Sequence, residues 1–294
     1  MAVYKRTYKA YSGPLTPSWS RFTVLSRYGF QTLFQSRPFT AFTVLCLIPF
    51  LAGLAFIYVV NNASVQAILN VRFGQTPIIN NAWFMTFLGI EAFMTFILTA
   101  WSAPGMISRD FANHSVQLYL SRPLSRAEYL AGKVSVLAAL LSLTTWVPAL
   151  ILFIVEATLH GNGWWWQNLW MAGSIVIASL MWIAVVSLLA MALAVWVRWR
   201  IAATALMLGT FFVLPGVGGV MDAILRTNWG MLFNITYDLS AVWGHLFRLD
   251  DAARHAGGFD RVPLWSAWGT LLAVCAISLW ILVRRLKARE VERS

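Results

Sequence analysis

The chain has 294 residues, of which 59% are hydrophobic and 11% charged, with a mean hydropathy of +0.68. An ordinary soluble domain is about one-quarter charged, so this composition excludes water as the solvent for most of the chain. The formal net charge of +11 would suit nucleic acid, but the basic residues sit in short segments beside apolar runs, where they set membrane orientation and argue against a nucleic-acid partner.

Residues 1–18, with Gly13, Pro14 and Pro17, read as an irregular basic segment suited to anionic headgroups. Residues 19–37 then show helical periodicity. Trp19, Phe22, Leu25, Phe30, Leu33 and Phe34 share one arc, with Ser20, Arg21, Arg27, Gln31 and Gln35 opposite. This predicts an amphipathic helix lying in the membrane interface and meeting the first span at Arg37–Pro38. Residues 1–38 thus form a cytoplasmic amino-terminal segment with an interfacial helix. The apolar run that follows is longer than a signal-peptide core, so no cleavable signal is expected.

Six apolar runs follow, over residues 39–60, 82–101, 134–155, 171–197, 201–221 and 262–283, and five of them contain no Asp, Glu, Lys or Arg. Each reaches the roughly 20 residues needed to cross a ~30 Å hydrocarbon layer. Backbone groups in lipid find no water, so these segments have to be helical. The fold class is an all-α integral membrane protein with a six-span domain over residues 39–283 and a basic tail over 284–294. Seventeen Lys and Arg fall on the side of the termini and five on the other, which predicts cytoplasmic termini.

Within the runs, Cys46 and Cys275 read as small apolar side chains, and Pro49, Pro148 and Pro215 as kink sites. Glu91 stands near the middle of the second run. A carboxylate there costs about 2.5–3.5 kcal/mol, so it has to face protein or water or be neutral. It is either a substrate-path group or an acid hydrogen-bonded to a neighbouring helix. Trp164, Trp165 and Trp166 read as an interfacial anchor before the fourth run. His245 and His255 share a loop with Asp250 and Asp251 without metal-ligand spacing, so a solvated polar loop is expected there.

The segment between the second and third runs carries the functional signal. A helix from near Asp110 has to stop before Pro123, and Ser125-Arg126-Ala127-Glu128 is a capping box that starts a new helix leading into the third run. The result is a helix–turn–helix with Arg122 and Arg126 at its corner. Ala131-Gly132-Lys133-Val134 is no phosphate-binding loop, since Ala127 replaces the first glycine and Val134 the hydroxyl residue. No catalytic, metal or cofactor site is expected on this chain.

This stretch resembles the permease subunits of type-2 ATP-binding-cassette (ABC) exporters, particularly the branch of the nitrous-oxide-reductase maturation permease. Ile107, Ser108, Asp110, Leu120, Ser121, Pro123, Leu124, Ser125, Arg126, Tyr129, Gly132 and Lys133 match that family's pattern, while Asn113-His114 stands where many relatives have glycine. The resemblance extends to the surface helix, the six spans and a larger outer segment over 222–262, where it implies short re-entrant helices, while the amphipathic pattern alone suits equally a surface lid packed on the outer ends of the spans. It implies that residues 108–126 carry a coupling helix docking on a separate ATPase. The residues involved are Ser108, Arg109, Asp110, Leu120, Ser121, Arg122, Pro123, Leu124, Ser125, Arg126 and Glu128. It further implies two cytoplasmic ATPase copies holding ATP and magnesium, a second permease copy or similar permease, and a bacterial cytoplasmic membrane. Export of an unidentified substrate is the leading expectation. Force transmission to an extracytoplasmic machine, or a structural role in a larger membrane complex, are the alternatives.

Overall fold

The structure is a computed structural model that describes residues 21–70, 78–112, 126–161, 163–197 and 199–291. Every regular element among them is helical. The surface helix α1 (Arg21–Phe34) leads into α2 (Arg37–Leu45) and α3 (Ile48–Asn61), which together make the first span, and a short α4 (Ala63–Leu69) follows. The second span lies in α5 (Asn81–Ala112), the third in α6 (Arg126–Thr144) and α7 (Trp146–His160), the fourth in α8 (Trp164–Trp196) and the fifth in α9 (Arg200–Leu225). A 3₁₀ turn (Trp229–Phe233), α10 (Ile235–Leu246) and α11 (Asp251–Gly257) precede the sixth span in α12 (Leu264–Val291). Six stretches are long and apolar enough to cross a membrane: Arg37–Asn61, Asn81–Met106, Ala127–His160, Trp164–Trp196, Arg200–Leu225 and Leu264–Arg285.

The spans differ in how they use their apolar surface. In the second and fourth, 56% and 61% of the most apolar window is buried inside the protein, against 22% in the first and fifth. Helices α5 and α8 are therefore the axis, and the others present apolar side chains outward, as lipid permits.

Four prolines test the kink expectation. Pro49 and Pro148 coincide with breaks: the first span bends at Cys46–Leu47, and the third at Thr145, whose φ of −117° and ψ of −90° leave the helical region. Each proline sits in the first turn of the second half-helix, where its missing N–H is least costly. The Thr145 hydroxyl donates to Leu141 O at 2.7 Å, which satisfies a carbonyl at the break. Pro215 and Pro104, by contrast, lie inside unbroken helices. Pro104 deprives Ala100 O of its helical donor, and Thr204 Oγ1 from α9 supplies a replacement at 3.0 Å.

The segment after α9 is re-entrant. Its 3₁₀ turn lies so close to α9 that a Cβ added at Gly218 would overlap Gly230 O, and one added at Gly230 would overlap Gly218 O. The Asp222 carboxylate accepts the Gly230 N–H at 2.6 Å and fixes the turn. From there α10 packs beside Trp182 and Phe212, which lie near the middles of α8 and α9, around a cavity of about 190 Å³. Trp243 meets Trp182 edge-on at 6.4 Å. The chain leaves again where Ser174 Oγ donates to Leu246 O at 2.8 Å and Asn81 Nδ2 donates to Phe247 O at 2.8 Å.

Of the tryptophan triplet, Trp164 and Trp165 pack on Phe153 with ring centroids at 5.3 and 5.5 Å. Only Trp166 is turned outward, 77% exposed. The triplet opens α8 itself, with one ring at its surface and two in the core.

Candidate functional site

The flanks of the segment between the second and third spans are helical continuations of those spans. Helix α5 runs on past Met106, the end of its apolar stretch, to Ala112, so the backbone of Ser108, Arg109 and Asp110 belongs to the second-span helix. At Asp110 the backbone belongs to the second-span helix, and the rest of the expected helix before Pro123 falls on residues outside the described ones. Residues 113–125, with Leu120, Ser121, Arg122, Pro123, Leu124 and Ser125, lie outside the described residues, as do the side chains of 107–112 and of Arg126. Helix α6 starts at Arg126, with Glu128 in its first turn, and continues without interruption to the Thr145 break. This start is where the capping box predicts one.

The two flanks are tied together. Lys133, only 8% exposed, donates from Nζ to Met106 O at 3.3 Å, close to where the second span leaves its apolar stretch. Lys133 also lies over the Tyr129 ring at 5.9 Å, and Tyr129 is buried. A third element joins them. Ser26 of α1 bonds the Ser135 hydroxyl at 2.7 Å and donates to Gly132 O at 3.2 Å. Gly29 allows this approach, because a Cβ there would stand 2.8 Å from Val136 Cγ2. Helix α1 thus rests on α6 as well as facing outward through Val24 and Tyr28, which are 47% and 65% exposed. A fourth contact comes from α9, where Arg200 Nη2 donates to Trp101 O at 3.3 Å beside the Thr204–Ala100 bond. The start of α6 is therefore in contact with α1 and α5, and α5 with α9, within a few turns of the segment. The described contacts there join four helices, α1, α5, α6 and α9.

These joints were hidden in the sequence. Ser26 and Gly132 are 106 positions apart, and only the proline inside an apolar helix at 104 signals that Ala100 O needs an outside donor.

Glu91 is fully buried on α5, and neither carboxylate oxygen has a hydrogen-bond partner among the described residues. Thr95 Oγ1 donates instead to Glu91 O at 2.7 Å and accepts from Trp182 Nε1 at 3.0 Å. A second buried carboxylate, Glu156, closes the other end of the bundle. It accepts Asn61 Nδ2 at 2.8 Å and lies 3.5 Å from His160 Nδ1.

The polar loop after α10 is organised by Arg254. Its guanidinium pairs with Asp251, approaches Asp260 Oδ2 at 3.6 Å and contacts His245 Nδ1 at 2.7 Å, while His255 Nδ1 lies 3.4 Å from Asp260. Among the described residues no group of three or more His, Cys, Asp or Glu could hold a metal ion. Deeper in the same segment, Asp238 is fully buried and accepts Thr270 Oγ1 at 2.7 Å. Burial pushes its carboxyl up to about 7, with the Thr270 bond pulling the other way.

The search of curated proteins gives no match. A family profile described as ABC-2 family transporter protein matches residues 25–283, a range that runs from α1 to the end of the sixth apolar stretch. Six spans, a surface helix seated on the third span and a re-entrant segment before the sixth are in place over that range. This chain belongs to the ABC-2 family of transporter membrane proteins.

Proposed function

We propose that this chain is the permease subunit of an ABC exporter, driven by a separate cytoplasmic ATPase that docks on residues 108–126. Family membership supplies the class. The observation that supports the docking assignment is the pair of unbroken helices, α5 to Ala112 and α6 from Arg126, that bracket the segment and run straight into spans two and three. A push on the segment is borne by two stiff helices braced through Lys133 and Met106. ATP and magnesium belong to the partner, present in two copies. ATP-driven closure of the ATPases displaces both segments, and the spans switch access from one side to the other. In this reading both termini are cytoplasmic, in a bacterial inner membrane. A second permease copy completes the unit. The face of α9 formed by Ala202, Ala205, Gly209 and Thr210 supports that pairing, since small residues permit close helix approach. Placement in the nitrous-oxide-reductase maturation branch is part of the same proposal.

The test is co-purification in mild detergent followed by ATP-dependent transport in vesicles. Arg126→Glu and Val116→Pro are expected to cut permease-stimulated ATP hydrolysis about tenfold or more, the loss of one charged contact or of one helix. Membrane insertion stays intact. Unchanged stimulation in both variants counts against the docking assignment. Stimulated hydrolysis with no substrate moved would favour force transmission instead.

A further inference from the structure

At the basic end of the bundle, where α8 stops and α12 leaves its apolar stretch, a cleft of about 430 Å³ is lined by Trp196, Trp280, Ile281, Arg284 and Arg285. Ligand sites in proteins run to about 300–1,000 Å³, so its size is adequate. The geometry points to a binding site for the phosphate of an anionic phospholipid headgroup, held by Arg284 and Arg285 between the two indoles. None of the residues lining it belongs to the proposed docking segment.

Charge is the first reason. Among the described residues neither arginine is paired with a carboxylate and no acid lines the cleft. The carbonyl end of α8 contributes about half a negative charge, which two guanidiniums outweigh roughly fourfold. Preorganisation is the second. The Arg284 guanidinium lies over the Trp280 ring at 5.0 Å, so its side chain is already held at the cleft. Part of the ordering cost of a bound phosphate is thereby removed, and the planar fork matches phosphate oxygens.

The third reason selects a lipid over a free ion. Ile277, Trp280 and Arg284 follow one another along one face of α12 at spacings of three and four. Ile277 and Trp280 are 57% and 58% exposed, and Trp196 across the cleft is 56% exposed. An amphiphile whose headgroup sits on the arginines lays its acyl chain along this apolar stripe, indoles at the headgroup level. A soluble phosphate would leave the stripe unused.

The experiment is native mass spectrometry of the full chain in detergent, with phosphatidylglycerol and phosphatidylcholine at equal concentration. Wild type is expected to retain phosphatidylglycerol with about tenfold preference, the scale for two arginines at an anionic surface. Arg284→Gln/Arg285→Gln should bring the preference to within about twofold. Arg226→Gln/Arg261→Gln, at the opposite end, should leave it unchanged. Trp280→Leu keeps both charges, guards against a misfolded double variant, and should weaken retention several-fold by loosening Arg284. Millimolar inorganic phosphate should not strip the lipid. Equal retention of the two lipids, preference surviving in both cleft variants, or displacement by inorganic phosphate would overturn the assignment.

Discussion

The two ends of the helix bundle are fastened in different ways. At the far end, the re-entrant segment is clamped by carboxyl acceptors and by backbone against backbone: Asp222 on the Gly230 N–H, Asp238 on Thr270, and Gly218 against Gly230. At the basic end, α1, α6, α5 and α9 are joined mostly by hydroxyls and long cationic side chains reaching single carbonyls, as in Ser26 to Gly132, Thr204 to Ala100 and Lys133 to Met106. A neutral hydroxyl bond is worth about 0.5–1.5 kcal/mol net, whereas a charged bond is worth about 1.5–3 and a backbone overlap has no flexible side chain to yield. The far end thus includes a backbone-to-backbone clamp, which the described contacts at the basic end lack.

The sharpest way to break this comparison is Gly230→Val. Its Cβ has to displace Gly218 O and the Asp222 carboxylate, so a loss of about 3 kcal/mol or more is expected, read as collapsed yield of monodisperse protein. A tolerated valine would mean the clamp is loose. Next comes Thr204→Val, which leaves Ala100 O without its outside donor and should cost about 1–3 kcal/mol in thermal unfolding. Combining it with Pro104→Ala should recover most of that loss, because alanine restores the N–H that proline removed. Additive losses would show that Thr204 acts elsewhere. Ser26→Ala should cost only about 0.5–1.5 kcal/mol while altering stimulated ATP hydrolysis more than stability.

The last test is a pH slope. Asp238 is raised from its ordinary 3.8 to about 7 in the folded protein, so it stays protonated there while the unfolded chain has already ionised. Its contribution to stability is therefore lost progressively as pH rises from about 3.8 to about 7, and is flat above. Asp238→Asn should flatten the melting temperature over that window relative to wild type; identical slopes would place the titration on another group.

What could be read in advance followed from how local each signal is. Number and position of the spans come from hydropathy within a window, and all six agree with the apolar helices to within a few residues at most ends, the third and fourth starting seven residues early at Ala127 and Trp164. The break at Pro148 was foreseeable, and the intact helix at Pro215 was not, since whether a proline breaks or merely bends a helix depends on neighbours remote in sequence. Pro104 went unnoticed because the apolar run was ended at Trp101. The charged loop drew attention through His245, His255, Asp250 and Asp251. Its hub is Arg254 with Asp260, a pairing that only the return of the chain after α11 creates. The re-entrant segment was expected from resemblance, not from pattern, because a twelve-residue amphipathic helix looks alike on a surface and inside a vestibule. Of the docking residues, the frame on either side is in place, while 113–125 lie outside the described residues.

The interruption at Thr145 has a mechanical consequence. The third span is two rods meeting at an elbow, and the far rod is moored to its neighbour by Asn61 and Glu156 at 2.8 Å. Under the proposed docking, a shove delivered at Arg126 would turn the near rod about the elbow against the moored one.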